Sequence, residues 1–251
     1  MTGVPQAGVL QAGTLQVVGM GPGNPDLLTL RAARILASAE VVAFFAKRGR
    51  PGHARTIAAP HLNPAAEELR FEYPYTTEVD VDDPRYEPGI RAFYEAAAAI
   101  VAARLDAGQD VALLCEGDPF FYGSAMYVFD RLRAAYDTAI TPGITSMSGC
   151  WAQARLPMTH GDDVLTVLPG TLDAESLAAR LAGSDAAVIM KVGRNLPKIR
   201  AALQSAGLAD RALYVERGTM PDGRMMPLAS LVEDRAPYFS LVLVPGRQRA
   251  R

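Results

Sequence analysis

LCEGDPFFYG, residues 114–123, is the stretch from which the fold is read. It continues an apolar run over residues 111–114 of the kind that forms a buried strand. The run breaks at Gly117, Asp118 and Pro119, which predicts a tight turn at the strand's carboxyl end. A helical pattern follows over residues 124–135. Glycine at such a place lets the backbone approach a ligand closely, and Pro119 removes a donor and stiffens the turn. Asp118 has no apolar role there. It either caps the next helix, as is common at such junctions, or accepts hydrogen bonds from hydroxyl or amino groups of a ligand. In open α/β sheets ligands sit outside the carboxyl ends of the strands. Three further stretches of the same construction add weight to the ligand reading.

Upstream, residues 15–18 predict a short strand ending in Gly19-Met20-Gly21-Pro22-Gly23-Asn24-Pro25. A helix follows, with Asp26 or Thr29 as its cap. The turn is not a dinucleotide loop. Asn24 stands where the third glycine belongs, and Pro22 and Pro25 withhold two amides that a pyrophosphate would need. Residues 40–45 predict a second strand. Behind it lies a basic loop with Lys47, Arg48, Arg50, His53 and Arg55, interrupted by Pro51 and Gly52. Two readings of that loop stand level: a solvated turn, or a rim that binds carboxylates through arginine forks. Residues 73–88, YPYTTEVDVDDPRYEP, read as a long polar loop or lid. Asp80, Asp82 and Asp83 alternate there, but no glycine or terminal glutamate follows in calcium-loop register, and they are expected to face solvent. An Ala-rich helix over residues 90–105 ends at Gly108.

Downstream, residues 138–140 predict a strand running into Pro142-Gly143-Ile144-Thr145-Ser146. Thr145 and Ser146 either cap a helix or face a ligand. No serine sits between correctly spaced glycines, so this is not a nucleophile elbow. Strands at residues 164–168, 186–190, 212–215 and 239–244 alternate with helices at 174–181 and 196–206. Alternation of this kind predicts an α/β fold with mostly parallel sheets. Two such sheets suit the length. The expected division is a loose tail at residues 1–13, an N-terminal α/β domain at 14–117 and a C-terminal α/β domain at 118–251.

Composition excludes several classes. Of 251 residues 49% are hydrophobic, enough for a sizeable core. A net charge of −2 argues against a nucleic-acid partner, which needs a basic surplus. Two unpaired cysteines, Cys115 and Cys150, fit a reducing compartment, and a cytoplasmic location is expected. The first thirteen residues have no signal-peptide pattern, and no apolar run approaches the roughly 20 residues that span a bilayer. His53, His61 and His160 are scattered, and no metal site is expected. Cys115 with His160 as base would be a nucleophilic pair, but a thiol ending a buried strand is more often an inert core residue.

VVGMGPGNPDLLTL at 17–30, EGDPFFYG at 116–123, TPGITSMSGCWAQARLP at 141–157, MKVGRNLPKI at 190–199 and YVERGTMPDGR at 214–224 occur in one order and spacing. Together they resemble the tetrapyrrole methylase family, and the last two resemble its branch acting on carbon 20 of precorrin-2. The resemblance runs from about residue 15 onward. It implies two α/β domains with the ligand cleft between them, a homodimer, S-adenosyl-L-methionine as methyl donor and a tetrapyrrole as substrate. It further implies cofactor contacts at Pro22, Gly117, Asp118, Phe121, Thr145, Ser146, Val192 and Gly218. Lys47, Arg48, Arg50 and Arg55 become the candidates for the substrate's carboxylate rim, with Arg194 and Arg217 second. Tyr122 either touches the ring or packs in the core. Glu116 departs from the small residue of many relatives. A different ring carbon, a cobalt-bound ring, or binding without turnover remain the alternatives.

Overall fold

The computed structural model describes residues 11–75 and 83–247. The first ten residues of the expected tail, and Asp80 and Asp82 of the expected lid, lie outside the described residues. The chain divides into two compact units: residues up to 21 with 25–144, and residues 22–24 with 145 onward.

The first unit is a five-stranded parallel sheet in the order β3-β2-β4-β1-β5. Its strands are β1 Leu15–Gly19, β2 Val41–Lys47, β3 Glu67–Tyr73, β4 Val111–Cys115 and β5 Thr138–Thr141. Alternate side chains face opposite layers. Val41, Ala43, Phe45, Leu113 and Cys115 pack on helices α3 Tyr86–Asp106 and α4 Ala125–Leu132. Val42, Phe44, Ala112 and Leu114 pack on α1 Leu30–Ser38 and α2 His53–Ala58. Coverage on both faces explains why β2 and β4 read as unbroken apolar runs. Thr29 caps α1, its hydroxyl accepting from the Ala32 N–H at 3.1 Å.

Two elements differ from expectation. β3 was not expected, yet its pattern has buried Leu69 and Phe71 between charged residues, as an edge strand covered on one face should. α3 begins at Tyr86 and takes Pro88 into its first turn, where proline costs no hydrogen bond. Asp83, expected to face solvent, lies at the surface and pairs there with Arg85. Hydrogen bonds from the Arg85 guanidinium and N–H hold its carboxyl down at about 2.

The second unit has β6 Leu165–Pro169, β7 Ala186–Met190, β8 Leu213–Glu216, β9 Arg224–Pro227 and β10 Ser240–Val244, in the order β6-β7-β10-β8-β9. Helices α6 Ala174–Ala182 and α7 Leu196–Ser205 cover one face. Helix α5 Ser146–Ala154 covers the other through Cys150 and Trp151. Only β6 and β7 pair in parallel; β10 runs antiparallel to β7 and β8, and β9 antiparallel to β8. The expected mostly parallel arrangement therefore fails here. The loop at residues 217–223 turns β8 back into β9 as its antiparallel neighbour, and the connection at 228–239 carries the chain past β8 to set β10 antiparallel between β7 and β8. The division between units also differs from the expected 117/118. Residues 138–141 form β5, which pairs with β1 in the first sheet, so the first unit runs on to residue 144.

The carboxyl ends of β1, β4 and β5 converge on glycine. The Gly21 and Gly117 backbones pair with each other, Gly117 N–H donating to Gly21 O at 2.8 Å. A Cβ on Gly19 would lie 2.5 Å from Gly143 N, and one on Gly143 only 2.0 Å from Gly117 O. No side chain fits in either place. Gly143→Ala should therefore lower the unfolding free energy by about 3 kcal/mol or more, read as a fall in the urea midpoint. A second expectation concerns the thiols. Burial pushes Cys115 and Cys150 up to about 12, from an ordinary value near 9. The native state then holds protons that the unfolded chain releases, so the thiols' contribution to stability is complete below pH 9. It is lost as pH rises toward 12. Urea midpoints should fall over that window, and less steeply in a Cys115→Ala/Cys150→Ala double variant.

Candidate functional site

In the first unit the turn after β4 carries Gly117, Asp118, Phe121 and Tyr122. Gly117 has φ +66, a conformation glycine adopts freely. Asp118 uses both carboxylate oxygens: Oδ1 accepts from Phe120 N–H at 2.9 Å and Oδ2 from Gly143 N–H at 3.1 Å. It thus ties the β4 turn to the β5 turn, and each oxygen keeps a second lone pair for a ligand donor. Phe121 stands edge-on to Tyr122 at 5.1 Å. Tyr122 is exposed and has φ +57, a strained state for a bulky residue.

Glu116 points to the other side of the turn. Its Oε1 accepts from Ala54 N–H at 3.1 Å and so anchors the start of α2. Burial pushes its carboxyl up, while its own N–H, the Ala54 N–H and the nearby His53 pull it down. The Glu116 side chain thus serves the start of α2.

The basic segment is partly ordered and partly spent. Lys47 ends β2 and is exposed, as are Arg48 and Arg50 in the turn that follows. Arg50 N–H donates to Lys47 O at 3.0 Å, and the Arg70 guanidinium donates to Arg50 O at 2.8 Å. Arg55 sits on α2, not in a loop, and its guanidinium pairs with Glu68 at 2.7 Å. Of the two second-rank arginines, Arg217 pairs with Asp222, while Arg194 is exposed.

In the second unit Thr145 caps α5, its hydroxyl accepting from Ser148 N–H at 3.3 Å, and half-buried Ser146 opens the helix. The Pro22 ring is buried against Gly149, where a Cβ would come within 2.6 Å of it. Val192 is 0% exposed and its side chain belongs to the core under α7, so only its backbone can serve a ligand. Gly218 lies on Cys150, where a Cβ would meet the sulfur at 2.3 Å. These cradles, tight to backbone and closed to side chains, fit a ligand gripped largely by main-chain groups.

Strain is concentrated at the same loops. Among the described residues five non-glycines have positive φ. Arg155 ends α5 in a left-handed cap. The other four, Tyr122, Lys191, Arg217 and Thr219, follow β4, β7 and β8 at their carboxyl ends. Such residues gather at ligand sites because the surrounding structure must enforce them. The sequence marks Lys191 and Thr219 only as polar residues of strand-end turns, since nothing in a residue's identity announces a left-handed tyrosine, lysine or threonine. Neither buried thiol is a nucleophile at neutral pH. What these loops offer among the described residues is groups that bind and orient, with both thiols held neutral.

A sequence model described as Tetrapyrrole (Corrin/Porphyrin) Methylases matches residues 14–231. The chain is 55% identical over 234 residues to a precorrin-2 C(20)-methyltransferase of Sinorhizobium sp, covering 93% of this chain and 96% of that one. It is 31% identical over 237 residues to a cobalt-precorrin-2 C(20)-methyltransferase of Salmonella typhimurium, covering 92% and 96%. A solved uroporphyrin-III C-methyl transferase from Thermus thermophilus, complexed with S-adenyl homocysteine, is similar with TM-score 0.65 at 25% identity over 93% of this chain and 92% of that one. With the family model spanning most of its length and a relative of the same extent more than half identical, this chain belongs to the tetrapyrrole (corrin/porphyrin) methylase family.

Proposed function

We propose that the protein is an S-adenosylmethionine-dependent C-methyltransferase that methylates carbon 20 of precorrin-2 to give precorrin-3A in corrin biosynthesis. The observation that carries the reading is the 55% identity, along 96% of its length, to a relative bearing that name. A cobalt-bound ring is the second reading, favoured by the 31% identical relative named for it.

When bound, S-adenosylmethionine supplies an electrophilic methyl group. The residues proposed to hold it are Pro22, Gly117, Asp118, Phe121, Thr145, Ser146, Val192 and Gly218. Asp118 contributes its remaining lone pairs toward hydroxyl or amino donors. Val192 and Gly218 contribute main-chain groups, since neither has a side chain available. Thr145 contributes through the capped helix start that it builds. Lys47, Arg48 and Arg50 are proposed to meet the ring's acetates and propionates, with Arg55 joining only by giving up Glu68. Tyr122, exposed beside them on the same unit's strand ends, is proposed to lie against the ring. The acceptor carbon is enamine-like: its bond to the methyl forms as the sulfonium's carbon–sulfur bond breaks, S-adenosylhomocysteine leaves, and a base is needed only to take up the displaced proton afterwards, so alignment supplies much of the rate. The protein is further proposed to act as a cytoplasmic homodimer. The family resemblance supports the dimer, and two free, buried cysteines support a reducing compartment.

The test is anaerobic incubation of the purified protein with methyl-labelled S-adenosylmethionine and precorrin-2, with NMR of the product. A methyl signal on carbon 20 is expected. Label on another carbon would reassign the enzyme, and tight binding without transfer would make it a non-catalytic binder. The rim makes a sharper prediction. Arg48→Ala and Arg50→Ala should each raise KM for precorrin-2 roughly tenfold, the worth of one charged hydrogen bond, and leave S-adenosylmethionine affinity unchanged in calorimetry. Arg55→Ala should change KM far less, because its fork is already used by Glu68.

A further inference from the structure

The segment Pro22–Asn24 belongs to the second unit although the residues on either side belong to the first. What holds it there is a small set of groups from α5 and from the loop after β8. Thr219 is the centre of that set. Its Oγ1 accepts from Asn24 N–H at 3.2 Å, across 195 positions of sequence. Its own N–H donates to Gln153 Oε1 at 2.6 Å. Gly149 leaves room for both partners: a Cβ there would lie 2.6 Å from the Pro22 ring and 2.9 Å from Thr219 Cγ2. Gly23 fits on the same side, where a Cβ would be 2.7 Å from Met220 Cγ and 3.1 Å from Thr219 Oγ1.

Thr219 achieves this at a cost. It is β-branched and has φ +68, a state that branched residues avoid and that persists only where neighbours enforce it. A glycine would adopt that backbone freely, and its neighbour Gly218 shows that glycine is available in this loop. A threonine in the strained place is therefore there for its side chain, whose hydroxyl the Asn24 amide meets.

We propose that Thr219 is a positioning residue. Fixed by Gln153, it presents its hydroxyl to Asn24 N–H and so sets the Pro22 loop in the conformation that receives the methyl donor. The inference rests on the proposed function for the roles of Pro22 and Gly218, and Thr219 itself makes no claim on the reacting atoms. Gln153 acts one step further back, by holding the Thr219 backbone in its left-handed state.

Calorimetry with S-adenosylhomocysteine, thermal midpoints, and amide hydrogen exchange at Asn24 test it on three variants of the full chain. Thr219→Val keeps the branched shape and loses the acceptor. It should raise Kd about five- to tenfold, the worth of one hydrogen bond, and speed exchange at Asn24 by a similar factor. Thr219→Ser keeps the acceptor and should stay within about twofold of the parent in both. Thr219→Gly relieves the backbone and loses the hydroxyl. It should melt no lower than Thr219→Val yet bind as weakly. If Kd and Asn24 exchange follow the thermal midpoint across the series instead of the hydroxyl, Thr219 is merely structural and the inference falls. If the parent protein does not bind S-adenosylhomocysteine at all, the functional reading fails. Asn24 exchange then still decides the clamp, and an unchanged rate in Thr219→Val would overturn it.

Discussion

The constraint on which the first unit's strand ends depend is the meeting of three backbones with no side chain between them. The Gly117 carbonyl occupies the space in which residue 143 would carry a Cβ, and Gly19 closes on both. Everything proposed for the first unit depends on that approach. It brings the β4 turn and the β5 turn close enough for one carboxylate, Asp118, to bond both. It also lies at adjacent strands β1 and β4, whose connections leave on opposite faces, through α1 and α4. Ligand sites of open α/β sheets form at such places. A side chain at Gly19 or Gly143 would force the turns apart and dissolve the Asp118 bridge.

The second unit solves the same problem by different means. Its sheet is mostly antiparallel, yet its polar loops still follow the carboxyl ends of β7 and β8. There the backbone is shaped by strained non-glycine residues, Lys191, Arg217 and Thr219, as well as by Gly218 seated on the Cys150 sulfur. Strain of this kind is maintained by packing around it. The buried core under α7, which includes Val192, and the cap on α5 supply that packing. Main-chain groups held so firmly discriminate by shape, which suits a ligand recognised by its outline.

Such a site is consistent with the chemistry proposed. Transfer of a sulfonium methyl to an electron-rich carbon needs alignment far more than it needs acid or base assistance. The thiols are locked in their neutral form. The Glu116 carboxyl is occupied with Ala54, and the Arg55 and Arg217 guanidiniums are paired with acids. Lys47, Arg48 and Arg50 lie exposed beside the first sheet, where the ring's carboxylates are proposed to bind.

Much of this was legible from residue order. Apolar runs bounded by glycine and proline located strands β1, β2, β4 and β7 to within a residue or two, because a strand buried on both faces leaves an unbroken run. Glycines at strand ends marked the turns, and five short motifs in fixed order pointed to the family. The amino acids alone did not disclose β3 and β9, whose edge positions dilute the apolar signal with charge. Nor did they disclose the antiparallel β10, since strand direction is set by which neighbour a connection can reach. They were silent on whether Arg55 is a free cation or a partner of Glu68. Thr219, strained and bonded to an amide 195 positions away, belongs to the same class. Local pattern determines which segments are strands and helices; partners distant in sequence, and the backbone angles they enforce, exist only once the chain has closed on itself.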